Sequence, residues 1–183
     1  MNLTQCVDRR TWSGKLIVLV AGMVLAGLVM VGPGPMPGME GAAFAAAGVN
    51  APAPDFELKD LGGSPVKISA FKGQKAVLVY FWATWCPYCV KAKPKVMELR
   101  KENAESELAI LAINVGGNDS LEHVRRFQEI NPVSWPVLYD KDGSVARKYH
   151  VVGIPLFVLV NKEGNVAYAG NSLPDPKDYL KKK

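Results

Sequence analysis

The chain has 183 residues, of which 49% are hydrophobic: enough for one domain plus extra segments, with a core that needs no disulfide framework. The formal net charge of +5 is a mild excess. Apart from the end at Lys181, Lys182 and Lys183, the basic residues form no long tract, so there is no nucleic-acid footprint.

The first 15 residues are polar and basic, with Arg9, Arg10 and Lys15. Residues 16–31 (LIVLVAGMVLAGLVMV) then carry no charge and end at a Pro/Gly breaker, GPGPMPG. The run is slightly shorter than the roughly 20 apolar residues of a spanning helix. It reads residues 1–31 as a signal peptide or an N-terminal membrane anchor. Small-residue cleavage sites follow Ala45 and Ala47. Either route keeps the basic end in the cytoplasm and exports the residues beyond about 45. An uncleaved anchor would leave Cys6 on the cytoplasmic side.

Residues 32–52 are rich in Gly, Ala and Pro and read as a linker. Folded structure is expected from Ala53 to the end, residues 53–183. Residues 56–58 and 66–68 predict two short strands around a Gly62-Gly63 turn. Residues 76–82 (AVLVYFW) form a continuous apolar run, the pattern of a buried central strand. A helix is predicted over about 87–103, kinked at Pro94, and a strand over 108–115. A second helix over 120–130 takes Asp119 or Ser120 as its cap. A short strand at 137–139 and a short helix at 145–149 come next. Strands at 156–160 and 166–169 flank NKEG, a hairpin turn. A last short helix is predicted over 176–182. Alternating strands and helices, ending in a hairpin, give an α/β fold with a mixed sheet and helices on its faces.

The chain has three cysteines. Cys86 and Cys89 form a C-x-x-C, too close in sequence for a stabilising bridge, so the choice is redox chemistry or metal binding. Metal needs further ligands, and His123 and His150 stand in no ligand-like spacing with the pair. No metal site and no cofactor are expected. Cys86 follows a predicted buried strand and opens a helix, whose unpaired N–H groups and positive dipole end stabilise a thiolate. Pro87 falls at the first helical position, where its missing N–H costs nothing. Cys89 lies one turn on, on the same face. Cys86 is therefore expected as the exposed nucleophile and Cys89 as the deeper, resolving cysteine. Lys91, Lys93 and Lys95 lie further along the same helix, either raising the potential around the thiols or simply facing solvent.

FWATWCPYC, Pro94 five residues after Cys89, and Gly153-Ile154-Pro155 before a strand together resemble thioredoxin. With the APDFELKDLGG opening and SAFKGQKAVLVYFW, the chain resembles the TlpA/ResA-like thiol-disulfide oxidoreductases over roughly residues 53–171. The resemblance implies a thioredoxin fold with an N-terminal β extension and a cis peptide before Pro155, facing the sulfurs. It implies a substrate rim of Trp85, Pro87, Tyr88, Ile154 and Pro155. It further implies an exported, monomeric protein-disulfide reductase, periplasmic or on the outer face of the bacterial cytoplasmic membrane. A transmembrane thiol donor would regenerate the dithiol, and apocytochrome c in cytochrome c maturation is one substrate the family offers.

Some positions depart from the pattern. Thioredoxin's buried carboxylate is replaced by Tyr80, and the acidic residue of ResA-like proteins by Ala92. Pro87-Tyr88 gives the CPYC of glutaredoxin, and Leu156 replaces a frequent threonine. Two rivals remain. A peroxiredoxin-like thiol peroxidase would need Thr or Ser where Ala83 stands. A non-enzymatic copper-binding module would use His150 near the Ile154-Pro155 loop.

Overall fold

The structure is a computed structural model that describes residues 48–180. The predicted leader at 1–31 with Cys6, most of the predicted linker at 32–52, and Lys181 to Lys183 lie outside these residues. Among the described residues no helix is long and apolar enough to cross a membrane.

A five-stranded mixed sheet organises the described residues. Its order is β5 (Val137–Tyr139), β4 (Leu108–Asn114), β3 (Ala76–Trp82), β6 (Leu156–Val160), β7 (Val166–Gly170). The β5, β4 and β3 strands are parallel, while β6 runs antiparallel to both β3 and β7. A separate hairpin, β1 (Glu57–Lys59) with β2 (Pro65–Lys67), precedes a 3-10 turn at Ile68–Phe71. The mixed sheet with flanking helices and an N-terminal β extension matches the fold class expected from the sequence. The first strand lies one residue later than predicted and the second one residue earlier, the second ending at Lys67 because Ile68 opens the 3-10 turn.

Every residue of β3 and of β4 is buried. This is the outcome expected of strands covered on both faces. Alternation along β3 divides the core into two layers. Leu78, Tyr80 and Trp82 point to the layer holding Val96, Leu99 and Val124. Val77, Val79 and Phe81 point to the layer holding Phe56, Ile68, Val145 and Tyr149. The first layer is closed by α1 (Pro87–Glu102) and α2 (Leu121–Ile130), which supply Val96, Leu99 and Val124. The second takes Val145 from α3 (Ser144–Lys148). A last short helix, α4, covers Pro176–Leu180.

Local signals explain the element ends. Ser120 caps α2, its Oγ accepting from His123 N at 3.1 Å. The fully buried Asp140 carboxylate takes Ala146 N at 2.8 Å and so satisfies the start of α3. Gly116 has φ +64, and a Cβ there would lie 2.4 Å from the Asp140 carbonyl oxygen. Only glycine fits that approach. Helix α1 runs through Pro94 without a break, and Val96 and Leu99 beyond it are buried. Ahead of Ala53, Asn50 N donates to Val166 O at 2.7 Å and Val166 N to Ala51 O at 2.9 Å.

Candidate redox site

The site lies where β3 gives way to α1. Cys86 is the N-cap of α1, with an extended backbone at φ −90 and ψ 105, and Pro87 sits in the first turn. The two sulfurs are joined as a disulfide, with Cα atoms 5.3 Å apart. Cys89 N donates to Cys86 Sγ at 3.2 Å. That hydrogen bond, with the helix dipole, favours negative charge on Cys86 over Cys89.

Register brings the second half of the site. The Phe81↔Leu156 pair is the last of the β3–β6 ladder, so the loop ahead of Leu156 emerges beside the end of β3. The Ile154–Pro155 bond in that loop is cis. The Ile154 carbonyl oxygen lies 3.7 Å from Cys86 Sγ. Asn171 Nδ2, just past β7, donates to Pro155 O at 2.7 Å and ties the loop down.

Tyr88, Ile154 and Pro155 line one groove of about 630 Å³ with Lys91, Lys95 and Leu173. Trp85 and Pro87 are exposed but do not line it. Trp85 is 52% exposed and Tyr88 71%. Cys86 differs from the exposed nucleophile expected of it: it is 4% exposed, against 1% for Cys89. In the disulfide both sulfurs join the core layer of Tyr80, Trp82 and Phe157, with Ile154 packed against it.

The lysines divide. Lys91 and Lys95 face the groove, with Lys91 Nζ 6.0 Å from the Tyr88 ring centroid. Lys93 turns inward. Its Nζ donates to Asn131 O and lies 5.6 Å from the Phe127 ring centroid. Partial burial lowers the Lys93 pKa below the usual lysine value.

Tyr80, at the position of thioredoxin's carboxylate, donates its hydroxyl to Cys89 O at 2.8 Å and stacks on Phe157 at 4.9 Å. Burial pushes its phenol far up, so it stays protonated and serves as a tether for the helix start. Ala92 packs against the core layer and lines the groove.

One carboxylate near the pair's lead-in loop reads from the sequence only as a possible helix cap. Asp119, its side chain fully shielded, accepts from Thr84 N at 2.9 Å, from Thr84 Oγ1, and from Asn114 Nδ2 at 2.7 Å. His123 Nδ1 lies 3.3 Å from it on the solvent side. It thereby anchors the turn two residues ahead of Cys86. Ser120 is the cap instead, which leaves Asp119 free for Thr84. Its partners lie 35 and 5 residues away, so only the Asp-Ser sequence at a helix start hints at it. Among the described residues no group of three or more His, Cys, Asp or Glu side chains is placed to hold a metal ion.

Residues 49–169 match the model of the AhpC/TSA family. The chain belongs to the AhpC/TSA family. It is 37% identical over 113 residues to the thioredoxin-like protein YneN of Bacillus subtilis, covering 61% of this chain and 65% of that one. It is 35% identical over 121 residues to the thiol-disulfide oxidoreductase ResA of Geobacillus kaustophilus, covering 66% and 68%. The thioredoxin domain of a thiol-disulfide oxidoreductase from Bacteroides vulgatus superimposes with a TM-score of 0.62 at 26% identity, covering 71% of this chain and 93% of that one. The exposed lipoprotein thioredoxin Etrx1 of Streptococcus pneumoniae gives 0.60 at 28%, covering 69% and 94%. These matches bear out the TlpA/ResA-like, thioredoxin-family resemblance. This AhpC/TSA-family chain spans just under two thirds of the length of the first curated relatives it matches, 65% and 64%.

Proposed function

We propose that this AhpC/TSA-family chain is a thiol-disulfide oxidoreductase acting on protein substrates outside the cytoplasm. The observation that carries the reading is a sulfur at a helix N-cap, Cys86, hydrogen-bonded by Cys89 N and facing the Ile154 carbonyl beside cis-Pro155. In the reducing direction the Cys86 thiolate attacks a substrate disulfide. One substrate sulfur leaves as a thiolate and takes a proton, and a mixed disulfide forms. Cys89 then attacks Cys86 Sγ, the Cys86–Cys89 bond forms, and the second substrate thiol is released. An extended substrate segment would rest against Tyr88, Ile154 and Pro155, with Trp85 and Pro87 exposed beside the sulfurs.

ResA-named relatives and the exposed lipoprotein thioredoxin support an extracytoplasmic location. The apolar leader supports export or anchoring. A membrane thiol donor regenerates the dithiol in this scheme, and an apocytochrome c is a candidate substrate. The test incubates the full chain with a disulfide-bonded protein and dithiothreitol. The wild type should accelerate reduction, Cys86→Ser should abolish the acceleration, and Cys89→Ser should accumulate the mixed disulfide. Equal rates for Cys86→Ser and wild type would end the proposal. Direction is read from the reduction potential: about −270 mV or below supports a reductant, and near about −120 mV an oxidant.

The peroxidase alternative finds no support in the site. Ala83 offers no hydroxyl, and the neighbouring Thr84 Oγ1 is committed to Asp119. Saturable peroxide consumption dependent on Cys86 would reinstate it.

A further inference from the structure

Behind the disulfide, between the sheet, α1 and α2, lies a cavity of about 20 Å³. Cys89, Lys93, Trp82, Gln128 and Tyr80 are among the residues lining it. About 10–15 Å³ is room for one water, and such a water needs two to four polar partners. Trp82 Nε1 and Gln128 Oε1 are buried without a hydrogen-bond partner in the protein, and they alone are so among the described residues. An indole N–H only donates and an amide oxygen only accepts, so the two are complementary partners for a water. The Trp82 residue is 4% exposed, which leaves its N–H no other source of a partner.

We propose that this cavity is the proton exit of Cys89: a water held between Trp82 Nε1–H and Gln128 Oε1 takes the Cys89 thiol proton, while the Lys93 ammonium offsets the thiolate left behind. The proposal rests on the thiol-disulfide oxidoreductase reading and supplies its resolving step. Cys89 S–H loses its proton to the water, which passes a proton to solvent past Lys93. The Cys89 thiolate bonds to Cys86 Sγ as the Cys86–substrate bond breaks. The departing substrate thiolate takes a proton from solvent.

The groups facing the cavity fix the sign of the effect. From β3 come Tyr80, its hydroxyl committed to Cys89 O, and the neutral Trp82. From α1 come Cys89 and Lys93, and from α2 only the neutral Phe127 and Gln128. The β4 strand contributes Ala112, and the segment after α2 contributes Val133 and Trp135. No carboxylate lines it. The one charged side chain facing the resolving thiol across the cavity is therefore the Lys93 cation, whose field favours the thiolate.

The experiment titrates Cys89 in the full chain carrying Cys6→Ser and Cys86→Ser, following thiolate absorbance in the ultraviolet against pH. Lys93→Met should raise the Cys89 pKa by about one unit or more, and Lys93→Arg should restore it. Gln128→Glu, nearly isosteric, should raise it as well by bringing a like charge to the thiolate. In the chain with Cys86 restored, Gln128→Leu should slow release of the mixed disulfide about tenfold, with formation of that disulfide by Cys86 unchanged. A Cys89 titration unmoved by both Lys93→Met and Gln128→Glu overturns the proposal, and neither reading depends on whether Gln128→Leu folds. A wild-type chain that reduces no protein disulfide overturns the functional reading, while the titration still decides the role of the cavity.

Discussion

Replacing Asp119 with leucine tests whether one buried carboxylate holds the loop that presents Cys86. Its oxygens accept from Thr84 N, Thr84 Oγ1 and Asn114 Nδ2 in a fully shielded position. Leucine is close in size but offers no acceptor. Thr84 N and Asn114 Nδ2 then lose the oxygen they donate to, and each donor left unpaired costs about 1–3 kcal/mol. A destabilisation of about 3 kcal/mol is expected. With a urea slope of about 1–3 kcal/mol per molar, the unfolding midpoint should fall by about 1 M or more. Amide exchange at Thr84 should accelerate beyond the global loss, because Thr84 N loses its own acceptor. A midpoint within about 0.3 M of wild type, with Thr84 exchange unchanged, would refute the claim that Asp119 anchors this loop.

Two glycines make a controlled pair. Gly116→Ala should cost more than about 2 kcal/mol, because its Cβ would meet the Asp140 carbonyl oxygen at 2.4 Å. Gly117→Ala, with a similar φ of +67 and nothing within 4 Å, should cost about 1–2 kcal/mol in urea unfolding. Tyr80→Phe should lose about 1 kcal/mol with its bond to Cys89 O, yet leave the shape of the exchange rate against pH unchanged below pH ~10. Burial raises the pKa of both Tyr80 and Tyr149 above the unfolded value. Their contribution is fully present below pH ~10 and declines above it, where the unfolded chain loses phenol protons that the folded chain keeps. Stability should fall with a slope of up to about 1.4 kcal/mol per pH unit for each tyrosine, and Tyr149→Phe should reduce that slope in urea titrations at alkaline pH.

The central strand and the redox pair were legible because each is written in contiguous residues. The AVLVYFW run admits one reading, a strand buried on both sides, and CPYC directly after it fixes the helix start. Strand bounds slipped by one residue where Ile68 turned away, because a 3-10 turn and a strand end share the same local pattern. The Asp119 carboxylate was not legible in its actual role. Its partners Thr84 and Asn114 belong to other elements, and they meet it only once β3 and β4 pair in parallel. The near-complete burial of Cys86 was equally hidden, since its cover includes a residue from the loop ahead of β6, Ile154.

Spacing along α1 makes Lys91, Lys93 and Lys95 look like one set, but a step of two residues on a helix turns the side chain by roughly 200°. Lys91 and Lys95, four apart, share the groove face, while Lys93 between them points to the opposite side and lines the cavity with Cys89. The described carboxylate closest in role, Asp119, is spent on Thr84 and lines neither the groove nor the cavity. Both approaches to the disulfide are therefore lined by cations without a facing acid. Tyr80 lines the cavity and Ala92 the groove, and neither supplies a carboxylate. A groove so lined should favour substrate segments carrying acidic side chains, and the same positive surroundings should stabilise the thiolates of the reduced pair.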